Sequence, residues 1–178
     1  MILRCPKCRQ EDLVDSSHGA SRCPACRGMF VPVAEVHRLM ESGEIADSGA
    51  PSPAIDAAGG QCPADRGIMA RTTIPLGGDT PTLHLERCGT CHSVWFDAGE
   101  WAILSSRHLL EHIDEFWSNE WRDAQRRSVE QEDYHKRLEN TFGAELYGQI
   151  RALGQALRSH PRRSQALAVL REESESRG

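Results

Sequence analysis

The chain has 178 residues, 39% of them hydrophobic and 26% charged, with a formal net charge of −5. No apolar run approaches the roughly 18 residues a membrane helix needs. The 21 basic residues are outnumbered by 26 acidic ones and no segment is strongly basic, which argues against tight non-specific nucleic-acid binding, since that requires clustered cations to displace counterions. Met1-Ile2-Leu3-Arg4 offers no apolar signal core ahead of Cys5, so the expectation is a cytoplasmic protein.

The chemistry-bearing residues are seven cysteines. Cys5 and Cys8, Cys23 and Cys26, and Cys88 and Cys91 form Cys-x-x-Cys pairs, and Cys62 stands alone. A disulfide framework would favour an even count and a secretion signal, whereas two-residue spacing in a cytosolic chain reads first as metal binding. In the first 30 residues the two pairs are 14 residues apart, a spacing that suits a ribbon in which two hairpin knuckles each offer two thiolates. Thiolates about 2.3 Å from a tetrahedral Zn²⁺ replace the core that so few residues cannot build. Gly28 is the expected knuckle residue that tolerates a positive φ. A redox dithiol would not explain a second pair at this spacing.

Val33, Val36, Leu39 and Met40 recur at helical spacing, with Glu35 in the first turn and Gly43 as a stop, so a short helix closes this module. His37 is expected to face solvent. Residues 42–60 are small, polar and rich in Gly, Pro and Ala. They read as a flexible linker that lets the modules on either side move semi-independently.

The second module opens at Cys62-Pro63-Ala64-Asp65. Gly67 to Ile74 reads as a strand and Gly77-Gly78-Asp79 as a turn. Thr82 to Arg87 returns with period-two alternation into the Cys88 knuckle, and Val94-Trp95-Phe96 forms an exit strand. Asp97 then fits an N-cap and Glu100 the third helical position. The layout repeats that of the first module. A large apolar pair stands three and four residues past Cys26 and past Cys91, a Glu stands nine past each, and Cys-Pro precedes each module.

In that repeat Asp65 occupies the place of Cys8. The second metal site therefore has Cys62, Cys88 and Cys91 plus a fourth group, with Asp65 favoured because a carboxylate binds zinc well. His84, His92 and an open position filled by water are the alternatives. The open position would suit catalysis, and His84-Leu85-Glu86 ahead of Cys88 and Cys91 has the flavour of a zinc deaminase motif. Only one residue separates Glu86 from Cys88, however, and a strand follows the cysteines, so that reading is rejected.

The run Cys-Pro-x-Asp, a hairpin, then Cys88-Gly-Thr-Cys91-His-Ser-Val94-Trp95-Phe96-Asp97-Ala98-Gly99-Glu100 resembles the TFIIB-type zinc-finger, or zinc-ribbon, family of small prokaryotic proteins. The likeness is strong over 62–101 and weaker over 5–36, where Val31-Pro32-Val33-Ala34-Glu35 replaces the Asp-x-Gly-Glu run. It implies zinc ligands at Cys62, Cys88 and Cys91, with Asp65 at a position usually held by Cys. It implies no defined reaction.

From Trp101 onward the pattern is helical. Leu104, Leu109, Leu110, Ile113, Phe116, Trp117, Trp121 and Ala124 mark an apolar stripe, read as packing on the second module or, with three Trp anchors, as a partner surface. Residues 122–140 read as a solvated helix. Phe142, Leu146, Ile150, Leu153 and Leu157 form a heptad-like seam two repeats long. Pro161 ends that helix, Ala166 to Leu170 suggest a final short one, and Glu172 onward should fray.

The sequence thus predicts a small α+β fold. Its parts are a zinc ribbon with a short helix over 1–41, a flexible linker over 42–60, a second ribbon over 61–100 and an α-helical tail over 101–178. The expected ligands are Cys5, Cys8, Cys23 and Cys26 for one ion and Cys62, Asp65, Cys88 and Cys91 for another, two zinc ions per chain, with iron the competing metal for thiolates. The leading function is a non-catalytic adaptor for a protein partner. A nucleic-acid-binding regulator, resting on Arg4, Lys7, Arg9, Arg22 and Arg27 as a basic face, comes next, and a zinc-dependent enzyme using the second site comes third.

Overall fold

The computed structural model describes residues 2–9, 11–16, 19–45, 47, 49, 59–78 and 82–175. Contacts divide the chain into two compact units, Met1–Val129 and Glu130–Gly178.

In the first unit each module is a three-stranded meander closed by a helix. The first comprises β1 (Val14–Asp15), β2 (Ser21–Arg22), β3 (Met29–Pro32) and α1 (Val33–Ser42). The second comprises β4 (Met69–Ile74), β5 (Leu83–Cys88), β6 (Ser93–Phe96) and α2 (Glu100–Ser106). Among the described residues the six strands form one antiparallel sheet in the order β1-β2-β3-β6-β5-β4.

The junction of β3 with β6 is symmetric with respect to the sequence repeat. Met29 pairs with Phe96, Phe30 with Trp95 and Val31 with Val94. Counted from Cys26 and Cys91, position three meets five, four meets four, and five meets three. This is the pattern of an isologous interface, here formed within one chain. It corrects the expectation of semi-independent modules, because a shared ladder of backbone hydrogen bonds fixes one against the other. The predicted linker falls mostly outside the described residues. Of its described part, Ser42 ends α1, and Gly60 lies so close to the first knuckle that a Cβ there would stand 2.6 Å from Pro6 Cβ.

Strand alternation sends the junction's side chains to two cores. Met29, Val31, Val94 and Phe96 join Val36 and Leu39 of α1, Trp101 and Leu104 of α2, and Leu83 and Leu85 of β5 in the larger one. Phe30 and Trp95 point the other way, into a smaller core with Cys5, Cys23, Cys62, Met69 and Cys88. The single β3–β6 pairing therefore holds up both layers.

Helix α1 matches the predicted boundaries, with Gly43 at φ 63° closing it through a hydrogen bond to Met40 O; His37 is exposed. The start of α2 differs from expectation. Glu100 does reach back to the Asp97 N–H at 2.8 Å, as a capping box requires, but the Asp97 side chain accepts from Trp95 Nε1 at 2.7 Å instead of capping. Asp47 takes over that task, accepting from the N–H groups of Gly99 at 2.8 Å and Ala102 at 3.2 Å. A residue assigned to the linker thus satisfies orphan donors of a helix more than fifty positions away.

The helical pattern read from Trp101 onward is interrupted. A left-handed residue, His108 (φ 55°), and a 3₁₀ turn at Leu110–His112 separate α2 from α3 (Asn119–Phe142). The turns let Leu110, Ile113 and Phe116 bury against the sheet's larger core, with Trp117 and Trp121 beside them. Thr72 Oγ1 donates to Phe116 O at 2.8 Å, and Trp117 Nε1 to Ala70 O at 3.0 Å, which pins the segment to β4. The apolar stripe is thus core, and a straight helix could not follow the sheet closely enough to bury it.

The second unit is helical. It holds the later part of α3, then α4 (Ala144–Leu157) and α5 (Arg163–Glu175), with Gly143 (φ 79°) between α3 and α4. Residues Glu172 to Glu175, expected to fray, continue α5. Among the unit's described residues Tyr147 of α4 is buried, and its hydroxyl pairs with His135 Nδ1. The seam residues Phe142, Leu146, Ile150 and Leu153 are exposed, as are Leu167, Val169 and Leu170.

Gly28 is not at positive φ. It is small because Trp95 covers it: a Cβ would stand 2.3 Å from Trp95 Cζ2. Gly28→Ala is expected to lower stability by about 1–3 kcal/mol through overpacking at the β3–β6 junction, read by chemical denaturation of the metal-loaded protein.

Candidate metal centres

Each cluster is built from two tight turns. In three of the four turns the chain closes with a hydrogen bond from the residue after the second ligand to the first ligand's carbonyl: Arg9 to Cys5 and Arg27 to Cys23 at 2.9 Å, and Arg66 to Cys62 at 2.8 Å. These residues, together with His92 in the fourth turn, lie at φ 62°, 62°, 62° and 56°. The left-handed residue of each knuckle is therefore Arg or His, not the glycine expected from sequence. Within the turns, backbone N–H groups point at sulfur, Cys8 N at Cys5 Sγ (3.2 Å), Cys26 N at Cys23 Sγ (3.5 Å) and Cys91 N at Cys88 Sγ (3.4 Å). Such donors favour the thiolate, the form that binds metal.

Cys5, Cys8, Cys23 and Cys26 come together, as do Cys62, Asp65, Cys88 and Cys91, with all ligand atoms of each group within 4.8 Å of one another. Cys5 Sγ lies 3.6 Å from Cys26 Sγ, Cys8 Sγ 3.9 Å from Cys23 Sγ, and Cys62 Sγ 3.5 Å from Cys91 Sγ. Disulfide sulfurs would be about 2.05 Å apart, whereas thiolates about 2.3 Å from a tetrahedral ion stand about 3.8 Å apart. All seven cysteines are free. The donor sets therefore fit a tetrahedral metal ion, with four sulfurs at the first site and three sulfurs and one oxygen at the second.

Asp65 turns its carboxylate to the second site. Oδ2 is 3.0 Å from Cys88 Sγ, and Oδ1 accepts the Gly67 N–H at 2.8 Å. Those two hydrogen bonds hold its carboxyl below the usual carboxylate range. His84 and His92, the alternative ligands, are not in the cluster. The thiols differ in environment. The hydrogen bond from Cys26 brings Cys5 down to about 5 against the effect of burial, and burial pushes Cys8 up to about 11 and Cys62 up to about 12. At Cys91 burial acts upward, but hydrogen bonds from Ser93, Cys62 and Cys88 together outweigh it and the net shift is down. The sites also differ in access. Cys5 and Cys23 of the first are buried with Cys8 and Cys26 half-buried, while Asp65 and Cys91 of the second are exposed.

Between the clusters lies a buried charge network that sequence reasoning missed. Lys7, inside the first knuckle, has a side chain only 2% exposed. Its Nζ lies 2.8 Å from Glu86 Oε1 and 3.3 Å from Asp97 Oδ2, both on the second module. Arg71 Nη1 reaches the same Glu86 oxygen at 3.2 Å across the β4–β5 pair. Among the described residues Glu86 Oε2 and Asp97 Oδ2 have no hydrogen-bond partner, and Lys7 meets Asp97 as an ion pair. Burial raises the Glu86 carboxyl above its ordinary range, and Lys7 opposes the shift. Burial and the repulsion of Asp97 raise Glu100 well above its own.

Lys7 is thus withdrawn from the basic face expected on the first module. Nothing in the alternation of β5 marks Glu86 as buried, because the face opposite Leu83 and Leu85 reads as solvent until another module covers it. Among the described residues no helix is long and apolar enough to cross a membrane. Scans against models of protein families, curated proteins and solved structures return no match.

The clusters define a protein with two sites positioned to bind metal. Because thiolates bind metal and thiols do not, retention at both sites falls as pH falls. The exposed second site is expected to yield its ion to a chelator first. Asp65→Ala should speed that release and Asp65→Cys slow it, as followed by a colorimetric zinc indicator.

Proposed function

We propose that the protein is a zinc-binding adaptor whose two ions act structurally and whose helical surface engages a protein partner. The observation that carries the metal reading is the convergence of four donors in each cluster. A catalytic zinc keeps a position for water or substrate, and at the second site Asp65 stands where that position would be. A structural ion suits modules this small, since thiolate coordination replaces hydrophobic core.

The adaptor part of the reading is supported by the second unit. Phe142, Leu146, Ile150 and Leu153 on one helical seam, with Leu167, Val169 and Leu170 on the next helix, leave large apolar side chains in water. Exposed apolar clusters of this kind mark interaction surfaces. The likeness to the TFIIB-type zinc-finger family agrees with zinc and is silent on the partner.

Metal analysis of the purified protein tests the reading. Two zinc ions per chain, without the visible absorption of iron–thiolate centres, is the expected result; one ion, or none with oxidised cysteines, contradicts it. For the adaptor role, Ile150→Asp with Leu153→Asp should abolish capture of a specific cellular protein while leaving the metal content unchanged. Capture that persists in this variant counts against the seam as the docking surface.

A further inference from the structure

We infer that the two metal sites are thermodynamically coupled, and that Lys7 is the residue through which each site feels the occupancy of the other. This inference rests on the metal reading above and adds to it. Two independent structural ions would need no common core and no shared charge.

The covalent connections are short. Lys7 lies between the ligands Cys5 and Cys8, so the knuckle that an ion closes also sets where its side chain begins. Its ammonium ends on Glu86, two residues before the ligand Cys88, and on Asp97, whose other oxygen accepts from Trp95 Nε1. Trp95 covers Gly28, two residues past the ligand Cys26. Trp95, Cys5, Cys23, Cys62 and Cys88 belong to one buried cluster. The route from one site to the other is therefore a single contiguous set of contacts, made of a buried ion pair and a buried aromatic ring.

The energetics make this route consequential. An ion pair desolvated on both sides cannot lose one partner cheaply, because the other charge is left uncompensated in the interior. If the first knuckle opens, Lys7 withdraws and Glu86 and Asp97 face each other, with the half-buried Arg71 left as a counter-charge on Glu86. The β5 segment leading to Cys88 then loses its buried partner. In the other direction, opening the second site frees β5 and strands the Lys7 ammonium. By linkage the effect is reciprocal: whatever the second ion adds to the affinity of the first, the first adds to the second. The exposed site, with its carboxylate ligand, is the one that exchanges more readily, so its occupancy sets the grip of the buried one.

The test measures zinc affinity at the first site by chelator competition, with the second site intact or disabled by Asp65→Ala with Cys91→Ser. Disabling the second site is expected to weaken the first by about tenfold or more, the scale typical of changes just outside a metal's ligands. The same comparison in a Lys7→Met, Glu86→Gln, Asp97→Asn background, which removes the ammonium together with both carboxylates it meets, should give a much smaller dependence. Circular dichroism of the zinc-loaded variants checks that they are folded. Unchanged affinity at the first site in the disabled protein would overturn the coupling. An undiminished dependence in that charge-free background would remove Lys7 as its carrier. In either case the wild type would still hold two zinc ions, whereas failure of the metal reading itself would appear as a wild type that holds fewer than two.

Discussion

The antiparallel pairing of β3 with β6 is the contact on which the rest of this structure depends. It places Phe30 opposite Trp95 at the centre of a six-stranded sheet and sends both into the space between the two cysteine clusters. It also sends Met29, Val31, Val94 and Phe96 to the opposite face, where the helices pack. Without it, each module would be a three-stranded meander with little to bury. With it, two small units share one hydrophobic layer on each side of a common sheet.

A row of side chains crosses the metal-facing side of that sheet through strand register, from Phe30 to Trp95 to Glu86 to Arg71. Lys7 and Asp97 close onto the row at Glu86. Burying this much charge is costly, and pairs of this type add little net stability compared with apolar side chains of similar size. What they enforce is geometry, since breaking one costs about 3–5 kcal/mol. Lys7 can meet Glu86 and Asp97 together only if the first knuckle and the second module are correctly placed.

Much of the local architecture was legible in the sequence. The members of the two converging clusters could be read from Cys-x-x-Cys spacing and from the internal repeat, which matched Asp65 to Cys8. The boundaries of α1 followed from apolar spacing and Gly43, and the strands of the second module from alternation. What the sequence concealed was everything that depends on one module covering the other. Glu86 reads as a solvent-facing strand residue, Lys7 as part of a basic face, Gly28 as a turn glycine, and Asp47 as linker. Each acquires its role only when β3 meets β6 or when a distant helix end needs an acceptor. The break after α2 was concealed for a related reason, because helical spacing persists in a segment whose course is set by the sheet beneath it.

On the proposed reading, metal binding at the two clusters and pairing at the β3–β6 junction are one cooperative event. Hydrogen exchange at the amides of β3 and β6, compared between zinc-loaded and chelator-stripped protein, tests it most directly. Removing metal is expected to abolish protection at Val31, Val94 and Trp95 together, in both modules at once. Protection that survives at the junction in the stripped protein would contradict it.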